Sequence, residues 1–452
     1  MMERRRLWAG LCLGVFIVLA AAACSQEDSA VESPRAEPDQ EIADHRSNEA
    51  NKEAPQDPIA LELYQYSARL TDDEFLQFFK EPVETQFPHI TIELVRSGSG
   101  MNLTDLAASG EWPDLFYTGF RGLRNFLTVA AAQDLTDLVK KVDLDLEQFD
   151  ATALQAIYNY SSGQQLYALP MFNNFSVLYY NKDVFDQFGA PYPEDGMTWD
   201  EAFDLIKHVT RNQDGNDYYG LAVDGGVVRL GEQLSLPFAD PVTNKATLQT
   251  DGWRTVFETF RTIHEIPGHQ ARKGKNAFIQ DRNVAMLASY GATLGELEEL
   301  HKQGNPIHYD LAAIPSFSDA PNKGFASSSF ILGVFVTSEW QDAAIEVISY
   351  LSTDVPFQMM ASQYGKLTSM QNVEVKEQFG AAMQSLQGKN IAAIIESELA
   401  PLPPFSLYEH IPQDELYKAM DAVIDEGMDV NSALRQAEEA ANLRIEQELK
   451  AQ

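Results

Sequence analysis

The chain has 452 residues and a formal net charge of −34, and 44% of its residues are hydrophobic. This length exceeds what one hydrophobic core usually organises, so the sequence predicts two folded domains. The strong negative charge repels polyphosphate and excludes nucleic acid as a partner. The two cysteines, Cys12 and Cys24, lie near the amino terminus, which excludes disulfides and thiolate metal sites from the rest of the chain.

A basic and then apolar segment begins the chain. Three arginines at positions 4–6 precede the apolar run 7–23, and this pattern predicts a signal peptide over residues 1–23. An uncleaved membrane anchor is the alternative interpretation. The run AAAC at residues 21–24 resembles the lipobox of bacterial lipoproteins, with Ala21 where leucine is commonest. The resemblance implies that Cys24 becomes the acylated amino terminus of the mature protein, carrying a lipid such as palmitate.

The next segment is acidic and has no aromatic residue. Residues 25–57 contain ten acidic and three basic side chains together with several prolines. A segment of this composition buries too little apolar surface to fold. We therefore expect residues 24–57 to form a lipidated cysteine followed by a disordered acidic tether, which holds the folded part away from the membrane.

Strand and helix patterns alternate from Pro58 onward. In chain order, the patterns predict a strand over 60–66, a helix from Asp72 that Pro82 kinks or splits, a strand over 89–95, a helix over 103–109 and a strand over 113–117. This order predicts an α/β fold with a parallel sheet.

The later part of the chain continues the same alternation. Thr198 and Glu201 form a capping box that begins a helix. Further on, the patterns predict a strand over 219–223, a helix over 251–265, a strand over 283–291, strand-like apolar residues over 324–336, a helix capped by Ser338, and a helical end over 414–449.

The segment YALPMFNNFSVLYYNKDVF, residues 167–185, contains an almost unbroken apolar run over 175–180, which predicts a strand buried on both faces. Together with the lipobox and the tether, four further motifs occur in order along the chain: PDLF at 113–116, TWDE at 198–201, DGNDYYG at 214–220 and VAML at 284–287. This series resembles the extracellular solute-binding proteins of ABC transporters, family 1 of the carbohydrate type, which includes maltose-binding protein.

The resemblance implies a type II periplasmic-binding-protein-like fold, with two α/β lobes joined by a hinge of three crossover segments. It implies a first lobe of residues 58–174 and 291–328 and a second lobe of residues 175–290 and 329–452. A ligand cleft lies between such lobes. The implied function is a monomeric, extracytoplasmic lipoprotein, anchored to the cell membrane, which captures a sugar or oligosaccharide and delivers it to the transmembrane subunits of an ABC permease.

Ligands of open α/β sheets bind beyond the carboxyl ends of the strands. Aromatic rings can cover the C–H face of a pyranose, while amide, hydroxyl and guanidinium groups bond its hydroxyls. Residues of these types at predicted strand ends are therefore the candidate ligand contacts: Arg69, Tyr117, Phe120, Arg121, Phe172, Asn173, Asn174, Ser289, Tyr290, Ser327 and Ser328.

The sequence predicts no catalytic residue and no cofactor. His264 and His269 are five residues apart, whereas the zinc-protease motif needs four and an unbroken helix. The segment 212–217, NQDGND, lacks the final glutamate of a calcium loop, so a tight turn is predicted, with calcium at Asp214–Asp217 as the alternative.

Two other functions remain open from the sequence. An extracellular carbohydrate-processing enzyme would need a carboxylate pair in the cleft, and the sequence nominates none. A ligand sensor for a membrane receptor would keep the fold and replace the permease by a receptor.

Overall fold

A computed structural model describes residues 57–161, 164–269, 274–326, 328–395, 397–403 and 405–451. The predicted signal peptide, Cys24 and the tether as far as residue 56 lie outside the described residues, as does Ser327.

The strands of the described residues are β1 (Ile59–Gln65), β2 (Ile90–Arg96), β3 (Leu115–Gly119), β4 (Leu169–Asn174), β5 (Ser176–Asn181), β6 (Arg211–Gln213), β7 (Asn216–Val223), β8 (Val284–Tyr290), β9 (Tyr309–Ala312), β10 (Lys323–Ala326), β11 (Ser328–Val334), β12 (Leu367–Thr368) and β13 (Glu398–Ala400).

The α-helices are α1 (Asp72–Phe75), α2 (Glu81–Gln86), α3 (Leu103–Ser109), α4 (Leu123–Thr128), α5 (Thr136–Lys141), α6 (Ala151–Tyr158), α7 (Lys182–Phe188), α8 (Trp199–Val209), α9 (Gly226–Gln233), α10 (Asp251–His264), α11 (Ala292–Lys302), α12 (Gln341–Thr353), α13 (Val355–Gln363), α14 (Val373–Glu377), α15 (Ala392–Ile395), α16 (His410–Asp425) and α17 (Val430–Ala451).

The first sheet has the strand order β12-β4-β11-β3-β1-β2. Strands β1, β2 and β3 are parallel, and β11 runs antiparallel to both β3 and β4. The carboxyl ends of β1, β3 and β4 therefore lie at one edge. We call this sheet, with the helices packed on it, the first lobe.

The second sheet has the strand order β6-β7-β8-β5-β9. Strand β5 pairs antiparallel with β8, so that Ser176 at its start lies opposite Tyr290 at the end of β8, and β7 runs parallel to β8. We call this sheet and its helices the second lobe. A small parallel pair, β10 with β13, accompanies it.

Strand β5 shows why its sequence is apolar throughout. Val177 and Tyr179 pack into the core on one face of the second sheet, while Leu178 and Tyr180 pack into the core on the other face. Since successive side chains of a strand point to opposite faces, a strand covered on both sides needs apolar residues at every position. The prediction of a doubly buried strand is confirmed, although the strand begins at Ser176 and not at Phe175, which lies where the chain changes sheets.

Local sequence signals account for several helix boundaries. Thr198 accepts from the backbone N–H of Glu201, and the Glu201 side chain accepts from the Thr198 backbone, so the predicted capping box is confirmed. The helical segment from Asp72 changes to a π-helical turn over Leu76–Lys80, directly before Pro82. The predicted cap at Ser338 is wrong, because α12 has Trp340 at its N-cap; the Ser338 hydroxyl accepts from the Trp340 backbone N–H at 3.2 Å and donates to Asp114 Oδ1 at 2.6 Å.

The structure differs from the expected division of the chain at two segments. The family resemblance implies that residues 291–328 belong to the first lobe, but β9, which lies in that range, pairs with β5 in the second sheet. Conversely, β11 lies in the first sheet and α12 packs in its core, although residues after 329 are expected in the second lobe. The pattern of each strand is visible in the sequence, whereas the sheet that it joins depends on long-range pairing.

Candidate functional site

The strand ends of the two lobes face each other where the chain crosses between them. Strand β4 ends at Asn174 and β5 begins at Ser176, so the edge of the first sheet that holds its carboxyl strand ends lies next to Tyr290 and the end of β8. Ligands of α/β sheets bind at such edges. The loops that follow β1, β3, β4, β7 and β8 therefore border the candidate site.

Two arginines and two glutamates form a charged cluster between the lobes. Arg121, in the turn after β3, binds Glu232 of α9 and donates to Glu409 Oε1 at 2.7 Å. Arg229 Nη1 lies 3.0 and 2.8 Å from the two oxygens of the same Glu232, and the Tyr290 hydroxyl donates to Glu232 Oε2 at 3.3 Å. We call these five residues the arginine–glutamate cluster.

The two carboxylates of the cluster differ in their electrostatics. Burial raises the pKa of Glu232, but Arg121 and Arg229 outweigh it and hold this pKa below its ordinary value of 4.5. Burial dominates at Glu409 and raises its pKa above 4.5, against the opposing effect of Arg121. The charged form of Glu232 is therefore favoured, whereas the pKa of Glu409 stays raised although both Arg121 and Arg124 oppose the effect of burial.

An aromatic seam continues from the cluster along the contact between the lobes. The Tyr160 ring, just after α6, lies 3.9 Å from the Phe405 ring and 5.1 Å from the Phe120 ring, measured between centroids. Phe405 belongs to the segment before α16, which packs in the second lobe. The first-lobe face of the seam is thus α6 with its following turn, and the second-lobe face consists of the segments 397–403 and 405–409.

Cavities lie at both ends of the seam. The outer cavity, of about 610 Å³, has aromatic and amide walls drawn from both lobes, including Asn159, Tyr160, Tyr167, Asn244, Phe405 and Tyr408. The inner cavity, of about 440 Å³, lies beside the crossover and is lined by charged and polar groups that include Asp150, Asn173, Ser176, Lys323, Lys376 and Glu398. Flat apolar rings beside amides and charges suit a ligand with apolar faces and many hydroxyls.

The structure brings only some of the predicted site residues together. Arg121 and Tyr290 meet in the cluster, and Phe120 lies against the seam. Arg69, Phe172, Asn173 and Asn174 line a smaller cavity of about 110 Å³ beside the crossover.

The remaining predicted contacts lie elsewhere. Tyr117 is buried in the first core, where its ring is 5.1 Å from that of Phe79. Ser289 is buried and donates to Asp224 Oδ2 at 2.8 Å. Ser328 is described only by its backbone, which pairs with Asn174.

Several residues of the site have no motif in the sequence. Arg229 and Glu232 are three positions apart on α9, directly after the carboxyl end of β7, and that position is the one signal that could have nominated them. Tyr160, Phe405 and Glu409 reach the site through loop paths that local patterns do not fix.

The oxygen-rich segment 212–217 forms the hairpin turn between β6 and β7. Asn212 Nδ2 donates to Asp217 Oδ1 at 2.7 Å across the turn. Within the described ranges, no group of three or more histidine, cysteine, aspartate or glutamate side chains is placed to hold a metal ion.

No helix in the part of the chain that the structure describes combines the length and the apolar character needed to cross a membrane.

Two α/β lobes, joined by crossovers and enclosing a lined site at their strand ends, define a two-lobed binding protein of the type II periplasmic class. The sequence matches the family of bacterial extracellular solute-binding proteins over residues 72–355, which is more than half of the chain. The chain therefore belongs to this family, and the family recognised from its motifs is confirmed.

Solved structures share the fold at low sequence identity. An ABC substrate-binding protein of Listeria monocytogenes, solved with cycloalternan, is 19% identical with a TM-score of 0.69, over 86% of this chain and 99% of that one. A sugar transporter protein of Rhizobium etli in an open conformation is 18% identical with a TM-score of 0.67, over 84% and 98%. The sugar-binding protein MalE of Xanthomonas citri is 16% identical with a TM-score of 0.67, over 87% and 98%.

Proposed function

We propose that this protein captures a sugar or oligosaccharide between its two lobes and delivers it to the transmembrane subunits of an ABC importer. The observation that carries the proposal is the outer cavity, whose aromatic and amide walls come from both lobes. A ligand there contacts both lobes only when they are closed. Its binding energy therefore shifts the population toward the closed form, which is the form that a permease would distinguish.

The proposed lobe boundaries follow the sheets. We assign residues 58–174 and 328–377 to the first lobe and 176–326 and 379–451 to the second, since β11, α12, α13, β12 and α14 pack with the first sheet and its flanking elements. The crossings then fall at Phe175, between β10 and β11, and after α14.

A screen of ligands tests the proposed function. The purified full chain is heated with cycloalternan, maltotriose, mannotriose and monosaccharides, with amino acids and peptides as controls. A ligand at about a hundred times its dissociation constant stabilises the folded state by about 2.7 kcal/mol and raises the melting temperature. We expect a rise with one sugar class. A rise with amino acids or peptides and none with any sugar would contradict the assigned ligand class.

The proposed function involves no catalysis, so the bound sugar should be recovered unchanged. One observation favours a hydrolase instead: Glu232 and Glu409 are two cleft carboxylates whose pKa values are shifted in opposite directions. Against it, Arg121 binds both carboxylates, and Arg229 occupies both oxygens of Glu232. Recovery of cleaved sugar, abolished by Glu409→Gln, would establish the enzyme and overturn the binding role.

The proposed location is the outer face of the cell membrane, where the monomer is held through acylated Cys24 and the tether after removal of residues 1–23. The two cysteines provide a matched test. Cys24→Ser should release the protein from the membrane fraction, whereas Cys12→Ser, in the discarded segment, should leave it there. Equal behaviour of the two variants would contradict lipid anchoring at Cys24.

A further inference from the structure

A single turn of the first lobe supplies two arginines to the second lobe. Besides the bonds of Arg121 to Glu232 and Glu409, Arg124 Nη1 donates to the Leu407 carbonyl at 3.2 Å and contacts His410 Nδ1. Both arginines thus hold the amino-terminal end of α16. These bonds run directly between protein groups of the two lobes.

The position of the Arg121 bonds makes them strong. The Arg121 side chain is 30% exposed, and its partners Glu232 and Glu409 are 1% and 14% exposed. Ion pairs shielded from water in this way experience a lower effective dielectric than surface pairs, and charge-assisted hydrogen bonds are stronger than neutral ones.

The cluster is also built so that it can open. Arg229, on the same helix as Glu232, binds both Glu232 oxygens and lies 4.9 Å from the Tyr290 ring centroid. When Arg121 withdraws, Glu232, the more deeply buried of the two carboxylates, therefore keeps a cationic partner. A buried ion pair without such a substitute would be costly to separate.

We propose that Arg121 is a ligand-independent latch, which closes the lobes in the absence of ligand and must release before a ligand can enter. The inference rests on the proposed hinged binding function and adds its regulation. The latch lowers the apparent affinity by the fraction of molecules that are closed and empty. The latch also lets an empty molecule adopt the closed shape that the permease would bind. A stronger latch would therefore weaken ligand capture and increase docking of empty protein on the permease.

The test measures the distance between the lobes in the unliganded full chain. With Cys12→Ser and Cys24→Ser in place, spin labels attach at Thr128→Cys and Val242→Cys, which are exposed positions on opposite sides of the outer cavity. Pulsed electron resonance then gives the ratio of open to closed molecules. We expect Arg121→Gln to raise this ratio about tenfold, and Glu409→Gln to raise it less, because Arg121 then keeps Glu232.

A double-mutant cycle distinguishes the loss of the bond between Arg121 and Glu409 from nonspecific structural effects of the two substitutions. If the bond acts across the lobes, R121Q and E409Q together should open the protein no further than R121Q alone. The matched control is Lys141→Gln, which removes the same charge from an exposed ion pair with Asp342 inside the first lobe. K141Q should leave the distances unchanged.

Several outcomes would overturn the latch. These are wild-type distances equal to those of R121Q, additive effects in the cycle, or an equal shift with K141Q. Should R121Q fail to fold, E409Q with wild-type distances contradicts the proposal equally well. No sugar is present in these measurements, so their failure leaves the sugar screen and the proposed function untouched.

Discussion

Two regions of the molecule beside the cleft are built from different chemistry. Near the crossover, short hydrogen bonds inside the first lobe surround Asn173, which donates to Asp150 Oδ2 at 2.7 Å and accepts from the Ser329 hydroxyl at 2.9 Å. At the arginine–glutamate cluster, full charges on separate lobes meet through side chains alone.

The hydrogen bonds near the crossover and the arginine–glutamate cluster therefore have different roles. The bonds of Asn173 lie within the first sheet and its flanking elements, so they persist when the lobes separate and fix the pivot. The bonds of Arg121 exist only while the lobes touch, so they contribute to closure. Stability should therefore depend on the crossover, and the open–closed balance on the cluster.

The largest expected effect is a loss of folding stability caused by a substitution in β4, the strand before the crossover. Phe172 is 2% exposed and packs in the first core, although it is also a predicted ligand contact. Phe172→Ala should lower the free energy of unfolding by about 3–5 kcal/mol, because a large core side chain is lost. Urea unfolding measures this change, with exposed Leu76→Ala as the control. A stable variant that loses only ligand affinity would show that Phe172 serves the ligand instead.

The next effect concerns the hydrogen bonds of the pivot. Asn173→Ala removes the amide group that bonds both Asp150 and Ser329, while Asp150 keeps its bond from Lys376, and it should cost about 1–3 kcal/mol of folding free energy. The adjacent Asn174→Ala changes a half-buried amide of the same size and should cost less. Equal losses in the two variants, measured by urea unfolding, would contradict the role given to Asn173.

A substitution in the aromatic seam should change ligand affinity more than folding stability. Tyr160→Ala removes one aromatic wall of the outer cavity and should weaken binding of the sugar found in the screen by up to about tenfold. Titration calorimetry measures the affinity, and Tyr192→Ala, a half-exposed tyrosine against the Tyr180 ring, is the control. Unchanged affinity in Tyr160→Ala would place the ligand elsewhere.

The cluster also predicts a pH dependence whose sign differs between its two acids. The pKa of Glu232 is lower in the folded state, so its stabilising contribution is present above pH 4.5 and is lost as the pH falls through the folded pKa. The pKa of Glu409 is raised, so protonation of this group favours the folded state as the pH falls. The urea concentration at the unfolding midpoint should fall less with decreasing pH in Glu232→Gln than in the wild type. It should fall more with decreasing pH in Glu409→Gln. Parallel declines in both variants would contradict the two assignments.

The smallest effect is expected at an exposed ion pair inside one lobe. Lys141→Gln breaks the pair with Asp342, whose side chains are 59% and 67% exposed. Exposed pairs contribute at most about 1 kcal/mol, so the urea midpoint should hardly move. A large loss would show that exposed charges, and not burial, decide which ion pairs matter in this acidic chain.

The parts of the fold that could be predicted are those written in local patterns. The capping box at Thr198 and the alternating burial of β5 follow from neighbouring residues, and both are visible in the sequence. The sheet that β8 or β11 joins depends on partners that lie far away along the chain, which periodicity does not specify.

The site divides in the same way. Arg121 and Tyr290 could be nominated because they follow apolar strands. Glu409 and Phe405 could not, because they enter the site from the loop before α16, and a loop carries no periodic signal. Tyr117 shows the converse: its position at a strand end suggested the cleft, but its ring packs inward.

The central claim, that ligand binds between the lobes, is tested most directly by hydrogen exchange with mass spectrometry on the full chain, with and without the sugar from the screen. We predict slower exchange both in α6 with its following turn and in the segments 397–403 and 405–409, which face each other across the seam. Protection confined to one lobe, or protection that leaves both segments unchanged, would contradict binding between the lobes.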